Sequence, residues 1–323
     1  MAGSGYIVPF KKNTKSGTMK QNIIWSCLLI CLFTLLFSCK EKNDKTVYDS
    51  ATQGTIYISV DESFKPVISE QIKVYEFSNP DAHIVASYKP EADCFRDLAN
   101  DSTRMIIVAK GLPEEESKTM TASLGYKPTW DVVAYDAVAM IINNDGQDSV
   151  FSMKRLRNLL NGNDTSLQIV VDGNNATSTV RYLLDTVVRG TSFGKNVEAA
   201  KNSMGVIDFI SKNKNAIGFV GSSWVVNEDD PEVKAYLKNI RFGLLSCDSC
   251  GEGVYAKPSQ ATIMYGQYPL VRPLYYILKE NAAGLGSGFV DFMMIERGQL
   301  IFNRSYLVPA KIYFGIRKAI IEN

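Results

Sequence analysis

Apolar positions along this chain alternate between short unbroken runs and longer stretches spaced three and four apart. Runs such as TIYISV (Thr55 to Val60), AHIVASY (Ala82 to Tyr88) and RMIIVA (Arg104 to Ala109) predict strands, and the stretch Phe64 to Phe77 and a shorter one near Phe95 predict helices between them. Pro113 followed by Glu114 to Glu116 predicts another helix start, with acids in its first turn. WDVVAYDAVAMIIN (Trp130 to Asn143) is long enough for two strands in succession, or for one that crosses between lobes. A second set follows: helices over Met153 to Leu160, Thr179 to Val188, Asn202 to Ser211 and Pro231 to Asn239, with strands LQIVVD (Leu167 to Asp172) and NAIGFVG (Asn215 to Gly221). IRFGLLSC (Ile240 to Cys247) reads as a strand returning to the first set, and Tyr268 to Asn281 and Ser287 to Gln299 read as late helices. The rhythm is that of an α/β protein whose sheets carry helices on their faces. No fixed period repeats, which argues against a solenoid.

One apolar run does not belong to this alternation. Ile23 to Phe37, IIWSCLLICLFTLLF, follows Lys20 and ends at Ser38-Cys39. As a helix it would span about 22 Å, against roughly 30 Å of membrane hydrocarbon, so it reads as a secretory signal over residues 1–38. A buried core helix is the other reading. Leu36-Phe37-Ser38-Cys39 resembles a bacterial lipobox, although Phe37 replaces the usual small residue; Cys39 would carry the lipid, palmitate included. Met1 and Met19 are both candidate starts. Residues 39–54 are polar and without periodicity, as in a flexible tether.

This segment changes the charge balance. The whole chain is +1, but residues 1–38 hold Lys11, Lys12, Lys15 and Lys20 and no acid, so the mature chain is about −3. That field attracts neither nucleic acid nor an anionic bilayer. The expected place is the bacterial cell envelope, with the protein lipid-anchored and facing the periplasm or exterior.

Candidate chemistry is sparse. Cys247-Asp-Ser-Cys250 could be a redox pair, half a zinc site or a local disulfide; Gly251, Gly253 and Pro258 favour the disulfide, being loop residues. Zinc needs four ligands, and the single histidine, His83, lies far away in sequence. GTSFGKN (Gly190 to Asn196) is one residue short of a phosphate loop, and GLGSG (Gly284 to Gly288) lacks dinucleotide-loop spacing. No enzyme, cofactor or metal site is expected. In DGNNATSTVRYLL (Asp172 to Leu184), the hydroxyls of Thr177, Ser178 and Thr179 stand at a helix start, where free N–H groups accumulate. They are either helix caps or the mouth of an anion site.

VAYDAVAMIINN (Val133 to Asn144), NAIGFVGSSW (Asn215 to Trp224), YPLVRPLYYIL (Tyr268 to Leu278) and FVDFMMIERGQLIFNRSYLVP (Phe289 to Pro309) together resemble, in order, the phosphate-binding proteins of bacterial ABC transporters. The resemblance covers most of the chain from Thr55. It implies a two-lobed, type II periplasmic binding protein fold with two crossing hinge strands, lobe I over 55–137 and 238–323 and lobe II over 138–237. It also implies an anion, phosphate or a related small oxyanion, held by Ser63 and Phe64 of one lobe and by Thr177, Ser178 and Thr179 of the other, with Arg181 neutralising charge. Backbone N–H groups of Ser63 and Phe64 would take part. The expected function is that of a monomeric solute-binding protein delivering its ligand to a membrane permease. The loops depart from the family pattern: Asp61 and Glu62 precede Ser63, Lys89-Pro90-Glu91-Ala92-Asp93-Cys94 replaces a glycine and serine loop, and Val108-Ala109-Lys110-Gly111 replaces Ser-Asp. These acids motivate the alternative, a relative that has lost phosphate and acts as a sensor or scaffold in an envelope complex.

Overall fold

The computed structural model describes residues 49–173, 177–190, 192–226 and 231–311. The expected signal segment, the lipid-attachment Cys39 and the tether before residue 49 lie outside the described residues.

The first half of the chain alternates strand and helix: β1 (Gly54–Asp61), α1 (Lys65–Ser78), β2 (Ala82–Lys89), α2 (Glu91–Leu98), β3 (Thr103–Val108) and α3 (Glu114–Leu124). β1 lies between β2 and β3, parallel to both. α1 starts with Pro66 in its first turn, where no N–H is required, and α3 ends at Gly125, whose φ of 77° is open to glycine without strain. β4 (Thr129–Asn143) is a single fifteen-residue strand. After it come β5 (Val150–Phe151), α4 (Met153–Asn161), β6 (Gln168–Asp172), α5 (Ser178–Tyr182, continued as a π turn to Val188), β7 (Val197–Ala200), α6 (Ser203–Lys212) and β8 (Ala216–Gly221). β6 is parallel to β7 and β8, which makes a second, similar half-sheet. The chain then runs through α7 (Pro231–Leu237), β9 (Ile240–Phe242), β10 (Leu244–Ser246), β11 (Tyr255–Ala256), α8 (Gln260–Met264), β12 (Val271–Leu278), α9 (Leu285–Met294), α10 (Glu296–Arg304) and β13 (Val308–Pro309).

The two half-sheets are joined through two long antiparallel strands, in the order β2-β1-β3-β12-β4-β8-β6-β7. β4 contributes Val133 and Ala134 to one core, with Ile58, Phe64 and Phe289, and Ala137, Val138 and Met140 to another, with Leu156, Ile169 and Phe219. β12 carries the chain back: Leu270 before it lies in the second core, Leu274 and Leu278 in the first. Two strands therefore cross between two lobes.

Two expectations are corrected here. Tyr268 to Asn281 is not a helix but contains β12; its i, i+4 apolar spacing imitates a helix, whereas Pro273 and the β-rich VRPLYYIL favour extended chain. Pro273 is tolerated because β12 meets β3 only from Tyr275 onward, so a proline there removes no hydrogen bond on that side. Ile240 to Cys247 does not return to the first half-sheet. β9 pairs with Ile141 to Asn143, and at Gly243, which packs against the Met140 side chain, the chain turns into β10, which pairs with β5 and β11. Among the described residues no helix is long and apolar enough to cross a membrane.

Candidate functional site

The crossing point of the two long strands carries charge. Arg272 of β12 and Asp136 of β4 are register partners, both buried, with Arg272 Nε and Nη2 donating to Asp136 Oδ2 at 3.0 and 2.9 Å. The other carboxylate oxygen accepts from the Ser222 amide and hydroxyl, at 3.2 and 2.7 Å, just past the end of β8. The free edge of the guanidinium faces away from Asp136: Nη1 donates to Ser178 Oγ at 2.8 Å and Thr179 Oγ1 at 3.3 Å. The Phe64 ring closes one face, its centroid 4.7 Å from the guanidinium carbon. Gly221 makes this approach possible, because a Cβ there would lie 2.7 Å from the Ser63 carbonyl oxygen and 3.2 Å from Arg272 Nη2.

Around that cation the two lobes bring hydroxyls together. Thr177 caps α5, its Oγ1 accepting from the Val180 amide at 3.2 Å, and this fixes Ser178 and Thr179 in the first helical turn with their side chains buried. Ser63, in the short turn between β1 and α1, reaches Ser178 Oγ at 3.4 Å and Thr179 Oγ1 at 3.3 Å. All of this converges on the Asp172 carboxylate at the end of β6. It accepts from Thr177 at 3.1 Å, Thr179 at 3.2 Å, Ser63 at 3.3 Å and Ser203, the first residue of α6, at 3.2 Å.

Further acids line the same gap. Asp61, fully buried at the end of β1, accepts the Ser63 amide on Oδ1 at 3.0 Å and, among the described residues, no hydrogen bond on Oδ2. Burial pushes its pKa up to about 6, reinforced by the Glu91 charge and opposed by Arg272. Burial likewise raises Asp172 to about 7, with Asp61 adding to it and Arg272 opposing it. Glu62 accepts from Ser203 Oγ at 2.8 Å, and its pKa is raised by burial. Glu91, the first residue of α2, binds the Ala109 amide at 3.0 Å and is ion-paired with Arg181. An ionised carboxylate about 5 Å from a unit of anion charge costs roughly 3 kcal/mol at an effective dielectric of 20. Neutralising, at pH 7, an acid that titrates at about 6 costs only about 1.4 kcal/mol. An anion entering this gap is therefore better accompanied by a proton than repelled.

The structure thus brings Ser63, Phe64, Thr177, Ser178 and Thr179 to one place, though the Ser63 amide is occupied by Asp61. Arg181 points elsewhere: it bonds to Glu91, to the Ala109 carbonyl at 3.2 Å and to Asp185 at 3.4 Å. The guanidinium on the hydroxyls belongs to Arg272, which lies 94 residues from Ser178 in the chain. Its signal in the sequence was a lone arginine inside the apolar run YPLVRPLYYIL. Cys247 and Cys250 are joined by a disulfide, Cα to Cα 5.3 Å, and His83 is exposed on β2. Cys94 is a buried thiol whose pKa burial drives upward. Among the described residues no three His, Cys, Asp or Glu side chains are grouped to hold a metal ion.

Comparison with known proteins gives a family and a fold. Residues 46–297 match the family described as PBP superfamily domain. Among curated proteins, the chain is 21% identical to a phosphate-binding protein of Staphylococcus epidermidis over 77% of each chain. Among solved structures it is similar to a Clostridium perfringens protein assigned as a phosphate ABC transporter substrate-binding protein, crystallised with phosphate bound. That match has a TM-score of 0.67 at 18% identity and covers 80% of this chain and all of the other. An ABC-type phosphate transport receptor from Vibrio cholerae matches with a TM-score of 0.59 at 14% identity, covering 78% of this chain and 99% of the other.

Proposed function

The chain belongs to the PBP superfamily, and from that premise we propose that it is a lipid-anchored, extracytoplasmic solute-binding protein of an ABC transporter that takes phosphate or a related small oxyanion. The observation that carries this reading is the meeting of Ser63 and Phe64 from one lobe with Thr177, Ser178 and Thr179 from the other, on the buried guanidinium of Arg272. Hydroxyls and a guanidinium whose heavy atoms are held in place by packing are suitable donors for an oxyanion. The printed assignments of the relatives support the same ligand class. In this reading lobe II runs from Val138 to the start of β12, Arg181 clasps the lobes through Glu91, and Cys39 carries the anchor that keeps a monomer beside its permease.

A thermal-shift panel of oxyanions on the full chain in detergent tests it. Ligand at about a hundred times its Kd adds roughly 2.7 kcal/mol of stability. Replacing Thr177 and Ser178 by leucine is expected to abolish a shift seen with phosphate, and a retained shift would refute this choice of loop.

A second reading has a specific observation behind it. The lobes are already bridged by direct bonds, Ser63 to Asp172, Glu62 to Ser203 and Glu91 to Arg181, in a gap with more acids than cations. A binding-protein relative held shut in this way would serve as a sensor or scaffold in an envelope complex. Flat melting curves across the panel favour it.

A further inference from the structure

The hydroxyl set that the proposed function assigns to an incoming oxyanion is already engaged by an anion of the protein's own. Thr177, Thr179 and Ser63 each donate to a single side chain, Asp172, at 3.1 to 3.3 Å, and Ser203 Oγ stands 3.2 Å from the same carboxylate with Glu62 as its nearer acceptor at 2.8 Å. A hydroxyl has one proton to give, so while it points at Asp172 it cannot point at a ligand. Asp172 is fully buried and receives no arginine: Arg272 is committed to Asp136, and Arg181 to Glu91 and Asp185. A second buried acid faces the same gap. Asp61 Oδ2, also fully buried, accepts no hydrogen bond within bonding distance among the described residues, the Ser178 side chain being the hydroxyl that acts on this carboxyl.

We infer that Asp172 is an internal counter-ligand, competing with the external oxyanion for one set of hydroxyls and yielding it only when a proton neutralises the carboxylate. Protonation removes the charge that holds the three donors, lets their O–H bonds rotate toward the newcomer, and turns Asp172 itself into a donor. Anion binding is thereby coupled to proton uptake, and affinity rises with acidity. The groups that set the midpoint are those facing the two acids. Asp61 and Glu62 raise Asp172 and Arg272 lowers it; Glu91 raises Asp61, which also faces the Cys94 thiol, and Arg272 opposes it. One step further out, Lys65 faces Glu62, and Lys89 and Asp97 face Cys94. Burial places Asp172 at about 7, so the competition is decided within the ordinary range of envelope pH.

This inference rests on the oxyanion reading, and one experiment separates the two. Titration calorimetry on the full chain in detergent uses sulfate as the probe, because its charge is constant over the range, and repeats it with inorganic phosphate. One proton linked to a group at about 7 predicts a sulfate affinity about thirtyfold higher near pH 6 than near pH 8.5. It also predicts a binding heat that varies with the buffer's ionisation enthalpy. Asp172→Asn is expected to bind sulfate at least tenfold more tightly than the parent near pH 8.5 and to lose most of the pH dependence. A purely structural aspartate would instead give weaker binding at every pH. Oxyanion binding that is independent of pH and releases or takes up no proton overturns the counter-ligand while leaving the oxyanion reading in place. Absence of binding by either probe at every pH overturns both. If Asp172→Asn does not fold, the parent's proton count still decides.

Discussion

Arg272 with Asp136 and Arg181 with Glu91 are the same chemical pair in two settings. The first sits on the two crossing strands, with both side chains buried and every edge of the guanidinium in use. The second joins α2 to α5, with the arginine side chain 30% exposed and sharing Asp185 as a further partner. A buried pair has been taken out of water at a large desolvation cost and survives only because each partner answers the other; in the outer pair the carboxylate is buried too, but the arginine keeps water as an alternative. The inner pair is therefore expected to govern whether the crossing forms, and the outer one how firmly the two lobes meet.

Arg272→Ala tests the contrast most severely. It leaves the Asp136 carboxyl group buried and answered only by Ser222, and should lower unfolding stability by about 3–5 kcal/mol in denaturant titrations. A loss below about 1 kcal/mol would put the two pairs in one class. Next in size is pH. Asp61 and Asp172 have folded-state pKa values above their unfolded ones, so their contribution is present below about pH 4 and is lost as pH rises through about 6 and 7. Stability near pH 8 should fall about 4 kcal/mol below that near pH 5, opposite to the usual carboxylate trend, and Asp172→Asn should remove most of that slope. Smallest is Arg181→Gln, which leaves buried Glu91 with the Ala109 amide alone and is expected to cost about 2 kcal/mol, partly masked by salt through the exposed arginine, whereas the Arg272 effect should survive high ionic strength. A salt-insensitive loss of several kcal/mol would show that the outer pair is also structural.

Much of the scaffold was legible in the chain because strand and helix periods differ and each parallel unit is local. β1, α1, β2 and β3 follow directly from their apolar runs, as do β6 and β8. β12 was not, since an eight-residue apolar segment has no period that separates a strand from a helix, and its partners β3 and β4 precede it by well over a hundred residues. The hydroxyl cluster was visible at Thr177 to Thr179 because capping is a local act. The cation that serves it was not. Arg181 is near in sequence but taken up by Glu91 and Ala109 across the gap, and Arg272 is far in sequence and adjacent in space, a relation that only the crossing of strands creates. Asp172 lay in plain view, but which way a carboxylate aims is a tertiary property.

The place of Arg272 on the crossing strands has one more consequence. When two bodies swing about a shared axle, points on the axle travel least, so a positive charge mounted there keeps its position through the whole stroke. The guanidinium is thus the fixed mark against which Ser178 and Thr179 are set, and it is they that would have to travel.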